Sequence, residues 1–346
     1  MQLNLDTQLL NAFLPDGILA DEIIAKAAEV IRAGGLAAFP TETVYGLGAN
    51  ALDGNAVAKI FEAKQRPLND PIIVHVADGA WEELADAHNA EMRQMARALA
   101  RACWPGPLTL VLPRGGRIPA NVTAGLDKVG LRMPAHPVAL ALIRASGVPI
   151  AAPSANRFGH TSPTTAAHVL DDLRGRIDLV LDGGPASIGV ESTVLDLTGA
   201  APQILRPGGL SRERLEEVLA RPVSIRQRQT PNQSEAMPAP GMLERHYAPG
   251  AKLILCKDTP DLLARREAYA AQKLRVGLLI TQAQSAACAG LTPQFVMGNA
   301  LAEIARELYA GMRALDAAGA QVILITQVER TGLGEAIADR LRRAAA

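Results

Sequence analysis

The sequence predicts an α/β protein built as two domains, and three observations carry that prediction. Short aliphatic or β-branched runs alternate with amphipathic helical stretches along most of the chain. At 346 residues, 49% of them hydrophobic, the chain has the length and apolar content for two cores. Between residues 226 and 250 the alternation stops. RQRQTPNQSEAMPAPGMLERHYAPG is polar, rich in proline and poor in aliphatics, which is the composition of a linker.

Taken in order, the first element is a helix from Asp21, with Ile23, Ile24, Ala27, Val30 and Ile31 at helical spacing and Gly34-Gly35 as its stop. Residues 36–39 read as a short buried strand. Asp53 can cap the next helix, which carries Val57, Ile60 and Phe61. The β-branched run at 71–76 predicts a strand, and one helical stretch follows over 78–103. Strands are expected at 108–112, 129–133 and 148–152, with a helix over 137–146. A helix over 164–173 leads to a strand at 178–182. Strands at 192–197 and 203–206 and a helix over 211–220 complete a first domain, 14–222. Residues 223–250 are assigned to the linker and read as a lid. In 251–346, strands at 252–256, 276–280 and 322–326 alternate with helices over 260–272, 299–317 and 334–344. That order predicts a smaller Rossmann-like α/β domain with a mostly parallel sheet.

Charge and composition exclude several function classes. Lys+Arg and Asp+Glu balance at 35 each, but residues 1–223 carry net −4 and residues 224–346 net +4. A protein that coats nucleic acid by bulk attraction is usually strongly basic, so direct strong nucleic-acid binding is not expected. Aromatics are only 3% of the chain, too few for the stacking platforms that hold single strands. No apolar run approaches the roughly 20 residues of a membrane helix. MQLNLDTQLLNAFLPDG lacks a basic stretch before an apolar core and does not read as a signal peptide, so a cytoplasmic location is expected. Cys103, Cys256 and Cys288 form no CxxC, which argues against a disulfide framework or a cysteine zinc site.

The common nucleotide signatures are missing. There is no P-loop, and the match of Gly46–Ala51 to a dinucleotide fingerprint is interrupted by Pro40 and Thr41-Glu42-Thr43 where an unbroken strand should stand. What remains is four polar loops that follow strands or helices. In Phe39-Pro-Thr41-Glu-Thr43-Val-Tyr45-Gly46-Leu-Gly48, hydroxyls and glycines crowd a strand end, as in a small polar ligand site or an ordinary glycine-rich turn. Lys64 and Arg66, fixed by Pro67 and Pro71, can grip phosphate oxygens; the same pair also suits a solvated helix C-terminus. Ala152-Pro-Ser154-Ala-Asn156-Arg157 ends an apolar strand, where α/β folds place their sites. Gly183, Gly184 and Gly189, before Glu191-Ser192-Thr193 in a loop followed by Arg206-Pro207-Gly208-Gly209, read as a backbone nest for an anion. Together the four loops suggest a polyphosphate or acyl-adenylate site.

These segments, in this order, resemble the YrdC-like family: FPTETVYGLGANA, KQRPLNDPIIVHV, WPGPLTLVLP, VGLRMPAHP, PIAAPSANRFGHTSPT, GVESTVLDL and ILRPGG. The resemblance covers roughly residues 14–220, and GMLERHYAP with a C-terminal α/β domain resembles the longer, two-domain type. It implies a twisted mixed sheet flanked by helices. It also implies a nucleotidyl transfer that joins L-threonine, bicarbonate and ATP into L-threonylcarbamoyl-AMP, releasing pyrophosphate, with Mg²⁺ expected alongside ATP. That product starts N6-threonylcarbamoyladenosine formation in tRNA, so downstream tRNA-modifying proteins are implied partners. The family's K-x-R…S-x-N tetrad falls on Lys64, Arg66, Ser154 and Asn156, taken as catalytic. By the same resemblance Arg66, Asp70, Lys128, Ser154, Ser162, Arg206 and Tyr247 lie on the ATP side. Thr43, His75, Arg132, Ala152 and Ser192 lie on the threonine side.

The chemistry is consistent with these roles. A threonine carboxylate wants a forked cation such as Arg132, and charge developing on phosphates wants Lys64, Arg66 and Arg206. His75, inside an apolar strand, is either a satisfied half-buried residue or a threonine contact, and no general base is assigned. Two alternatives differ in kind: the carbamoyl-adenylate-forming module of hydrogenase maturation proteins, whose Cys-rich zinc motifs are absent here, and a non-enzymatic RNA-binding module.

Overall fold

The computed structural model describes residues 5–226, 236–238 and 247–346. The first part runs β1 (Gln8–Asn11), α1 (Asp21–Arg32), β2 (Ala37–Phe39), β3 (Gly46–Asn50), α2 (Gly54–Lys64), β4 (Val74–His75) and α3 (Ala90–Cys103). It continues with β5 (Leu108–Pro113), β6 (Lys128–Arg132), α4 (Pro137–Ser146), β7 (Ile150–Ala151), α5 (Ala166–Leu173) and β8 (Leu179–Asp182). Then come β9 (Thr193–Asp196), β10 (Gln203–Arg206), α6 (Arg212–Leu219) and β11 (Ser224–Ile225). These strands form one mixed sheet of 11, in the order β1-β8-β2-β3-β7-β4-β6-β5-β9-β10-β11.

Alternation along single strands builds two apolar layers. Ala37 and Phe39 of β2 face the layer that holds Ile24 and Ile31 of α1 and Leu142 of α4, while Ala38 faces the layer with Val57 and Ile60 of α2. Helices therefore cover both sides, and each buried Leu or Ile contributes about 1.5–3 kcal/mol. The second part holds β12 (Lys252–Cys256), α7 (Thr259–Ala271), β13 (Val276–Thr281), β14 (Gln294–Met297), α8 (Leu301–Ala317), β15 (Val322–Thr326) and α9 (Gly334–Ala344). Its sheet runs β12-β15-β13-β14, and every pairing in it is parallel.

Several expectations change. The helix over 78–103 is two pieces, a single 3-10 segment Asp78–Glu83 and then α3, because the Asn89 side chain accepts the N–H groups of Glu91 and Met92 and starts a new helix. The strand at 71–76 narrows to a two-residue ladder at β4. Gly46–Asn50, read as a glycine-rich loop, is β3, antiparallel to both β2 and β7. A side chain at Gly48 would meet Phe39 at 2.7 Å, so the glycine serves close strand packing. Strands β1 and β14 escape a propensity reading because QLLN and QFVM carry little β-branching. Strand β11 extends the large sheet into the segment assigned to the linker.

Of that linker, residues 227–235 and 239–246 lie outside the described residues, and with them most of the lid. The described remainder makes two backbone hydrogen bonds to the first domain: Met237 N–H donates to Asn69 O at 2.8 Å and Ala248 N–H to Gly159 O at 3.0 Å. No helix among the described residues is long and apolar enough to cross a membrane.

Candidate active site

A cleft opens where several chain segments meet, among them the turn between β2 and β3, the segment after α2, the ends of β4 and β6, the loop after β7, the approach to β9 and the end of β10. The β2–β3 turn is organised by one hydroxyl. Thr41 Oγ1 donates to Val44 O at 2.6 Å and accepts the N–H of Thr43 at 3.1 Å and of Val44 at 3.2 Å. That turn delivers Thr43 to the buried guanidinium of Arg132, whose Nη2 donates to Thr43 Oγ1 at 2.8 Å and Glu42 Oε1 at 2.7 Å. Arg132 Nε reaches Gly106 O at 3.4 Å. Beside it, on β4, His75 is almost fully buried. Burial, followed by the Arg132 charge, pushes its imidazole down to about 3, so it is neutral, and its Nδ1 has no hydrogen-bond partner among the described residues.

At the other side of the cleft, Gln65 takes a left-handed conformation at the end of α2 and turns the chain so that Arg66 lines the wall. Arg66 pairs with Asp70 at 3.0 Å and donates to the Asp70 and Pro71 carbonyls at 3.1 and 2.7 Å. Arg206, at the end of β10, donates to Ser192 O at 3.0 Å and Ser192 Oγ at 3.3 Å. Tyr247 closes the cleft and is 1% exposed.

The tetrad divides by role. Arg66 and Ser154 line the cleft; Lys64 and Asn156 do not. Lys64 Nζ, buried beneath the loop, donates to Ser154 O at 2.6 Å and to Asn156 O. Asn156 Nδ2 donates to Arg157 O at 2.8 Å and His160 O at 2.9 Å. In this arrangement the two residues hold the Ser154 loop in shape. Burial, then the nearby Arg66 charge, pushes the Lys64 ammonium well below its usual range.

Of the other expected residues, Thr43, His75, Arg132, Ala152, Ser192, Arg206 and Tyr247 line the cleft. Asp70 lies behind Arg66 as its partner. Ser162 also stands behind the wall, with Oγ donating to Glu191 Oε1 at 2.6 Å. Lys128 is not brought to the cleft: it begins β6 while Arg132 ends it, roughly 13 Å along the strand, and it pairs with Asp196 at 3.3 Å.

Two of the glycines in these loops serve packing. A Cβ at Gly208 would lie 2.2 Å from the Ser192 carbonyl carbon, and one at Gly189 2.4 Å from Ala305 O, so both permit backbone-to-backbone packing. Sequence reasoning missed Ile73 in the wall, and it placed Thr41, Tyr45 and above all Glu191 in polar loops without giving them a role. The only sequence signal for Glu191 was its place beside Ser192. Its carboxylate meets Arg340 of α9 at 2.6 Å. Burial alone would raise Glu191; the Arg340 and Arg206 charges outweigh it and hold the group below the usual carboxylate range.

Residues 29–208 match the family of Sua5, YciO and YrdC proteins, described as telomere recombination. The chain belongs to this family. Residues 210–346 match a second family, described as threonylcarbamoyl-AMP synthase, C-terminal domain. The threonylcarbamoyl-AMP synthase of Pyrococcus abyssi is 46% identical over 323 residues, covering 92% of each chain. That of Bacillus subtilis is 44% identical over 328 residues, 94% of this chain and 93% of the relative. The crystal structure of P. abyssi Sua5 complexed with L-threonine superposes with a TM-score of 0.88 at 43% identity, over 98% of both chains. A family member of this two-domain kind thus binds threonine in a fold that this chain shares throughout.

Proposed function

We propose that this chain condenses L-threonine, bicarbonate and ATP into L-threonylcarbamoyl-AMP, with release of pyrophosphate, as the opening step of N6-threonylcarbamoyladenosine formation in tRNA. The observation that carries the reading is one cleft whose lining holds two chemically distinct groups of residues. Thr43, neutral His75 and Arg132 form one group in its lining, and Arg66 and Arg206, close enough for their charges to interact, form another. Threonine suits the first, its carboxylate on Arg132 and a hydrogen of its amine or hydroxyl on His75 Nδ1. The amine adds to the carbon of bicarbonate with loss of water, giving a carbamate. A carbamate oxygen then attacks the α-phosphorus of ATP, and the bond to the β-phosphate oxygen breaks as pyrophosphate leaves. Arg66 and Arg206 are placed to stabilise charge on the phosphates, and the remaining contribution is positioning. No covalent nucleophile is needed.

The residues present do not make a resident metal centre. Among the described residues no group of three or more His, Cys, Asp or Glu side chains converges. Glu42, Asp70 and Glu191 are each already paired with an arginine. Mg²⁺ is therefore proposed to enter on the triphosphate of ATP, as part of the substrate. Tyr247, at the cleft mouth, is the ring proposed to cover the nucleotide. Proteins that take the product to tRNA are proposed partners, and the site of action is proposed as the cytoplasm.

The test is pyrophosphate release from the purified full chain. Release should require threonine and bicarbonate together. Equal ATP consumption without threonine, or salt-sensitive RNA binding with no turnover, would overturn the assignment.

A further inference from the structure

The largest fully buried side chain among the described residues is a cation, Arg340 of α9. It sits at the seam between the domains and makes four contacts, three of them toward the cleft wall and one to its helix neighbour Asp339. Nε donates to Glu191 Oε2 at 2.6 Å, Nη2 to Pro207 O at 3.0 Å, and Nη1 to Asp339 Oδ2 at 2.8 Å. Its guanidinium carbon also lies 4.9 Å from the centre of the Tyr247 ring. Glu191 precedes Ser192 and Pro207 follows Arg206, so one guanidinium grips the neighbours of two residues that line the cleft. Ser192 and Arg206 are themselves joined by the Arg206 Nη2 bonds.

Two further features make this a built device. Tyr309 of α8 donates its hydroxyl to Glu191 Oε2 at 3.0 Å, and its ring stacks on Tyr247 with centroids 6.0 Å apart. At Gly189 the backbone of α8 approaches so closely that no side chain would fit between the domains. Val44 and Val190, from the two loops that carry Thr43 and Ser192, pack in the same apolar cluster as Tyr247 and Ile337. The second domain therefore packs directly against the back of the cleft wall.

Resting on the activity proposed above, we infer that Arg340, seconded by Tyr309, is a positioning residue for adenylate formation. Through Glu191 and Pro207 it fixes Ser192 and Arg206 in reacting geometry and seats Tyr247 over the cleft. A guanidinium suits this task because its planar fork can serve several acceptors at fixed angles, which an ammonium cannot. Misplacing a positioned group by about 1 Å can cost on the order of 100-fold in rate.

The test compares Arg340→Lys, Arg340→Met and Tyr309→Phe in the full chain with wild type. It uses threonine-dependent pyrophosphate release, recovery of threonylcarbamoyl-AMP per pyrophosphate, and circular dichroism at the assay temperature. If wild type shows no threonine-dependent release, the proposed activity itself fails, and the positioning role falls with it. With wild type active, Arg340→Lys should keep its fold, lose roughly 10- to 100-fold in kcat, and recover less product per pyrophosphate as the wall loosens. Tyr309→Phe should lose several-fold in kcat in the same direction. Should Arg340→Met fail to fold, the other two variants decide. Folded Arg340→Lys and Tyr309→Phe with kcat and product recovery within about twofold of wild type would overturn the inference, leaving Arg340 a purely structural ion-pair residue.

Discussion

Replacing Lys64 by methionine keeps most of the side chain's length and removes only its ammonium. Two buried carbonyls, Ser154 O and Asn156 O, then lose their donor. Each hydrogen bond to a charged group is worth about 1.5–3 kcal/mol, a gross loss of about 3–6 kcal/mol. Part of this returns, because burial already disfavours the ammonium and methionine carries no such desolvation cost. A net loss of about 2–3 kcal/mol remains, which lowers Tm by roughly 4–12 °C at about 2–4 °C per kcal/mol. The loop that presents Ser154 loosens at the same time, so kcat/KM for ATP should fall on the order of 10- to 100-fold. Calorimetry and pyrophosphate release measure both quantities on one preparation. Turnover abolished at an unchanged Tm would refute the reasoning, since the ammonium would then act on ligand and not on the loop.

The remaining predictions concern the cleft wall and its pH response. Thr43→Val removes an acceptor of the buried Arg132 guanidinium, so KM for threonine should rise about tenfold or more with KM for ATP little changed; an unchanged threonine KM would count against the placement. His75 has a folded value of about 3 against 6.5 when unperturbed, so between those values only the unfolded chain takes up this proton. Stability should therefore fall as pH drops below about 6.5, by up to about 1.4 kcal/mol per pH unit from this group. Urea unfolding of His75→Gln should show a flatter acid limb, and an unaltered slope would rule out a neutral buried imidazole. Gly208→Ala forces a methyl within 2.2 Å of backbone and should cost at least about 1–3 kcal/mol; a wild-type Tm and turnover would contradict the packing described.

What the sequence made legible follows from locality. Helices α4 and α9 match their predicted bounds because a Pro, a Gly or a clear 3.6-residue period marks them. Strand β3 was hidden because Gly46 and Gly48 mimic a turn, while the space that demands glycine is set by Phe39 and Ile150, both distant in the chain or on another strand. The same distinction runs through the site. Motif spacing gathers Arg66, Ser154, Arg206 and their neighbours, but it cannot tell a group that faces ligand from one that braces the loop, as Lys64 and Asn156 do. Glu191 and Arg340 stand 149 positions apart, and no local pattern announces that they meet.

The pairing of arginines with carboxylates around the cleft has a kinetic consequence. Arg66 with Asp70, Arg132 with Glu42, and Arg340 with Glu191 cancel pair by pair, and all of these but Arg340 lie in residues 1–223, which are themselves net negative. Such a cleft casts little positive field beyond its mouth, so a polyanion arrives by unassisted diffusion and its capture rate is nearly indifferent to ionic strength. Discrimination then resides in exchange after arrival, where an anion must outcompete acceptors already in place, and a poorly fitting one leaves the original pairs intact.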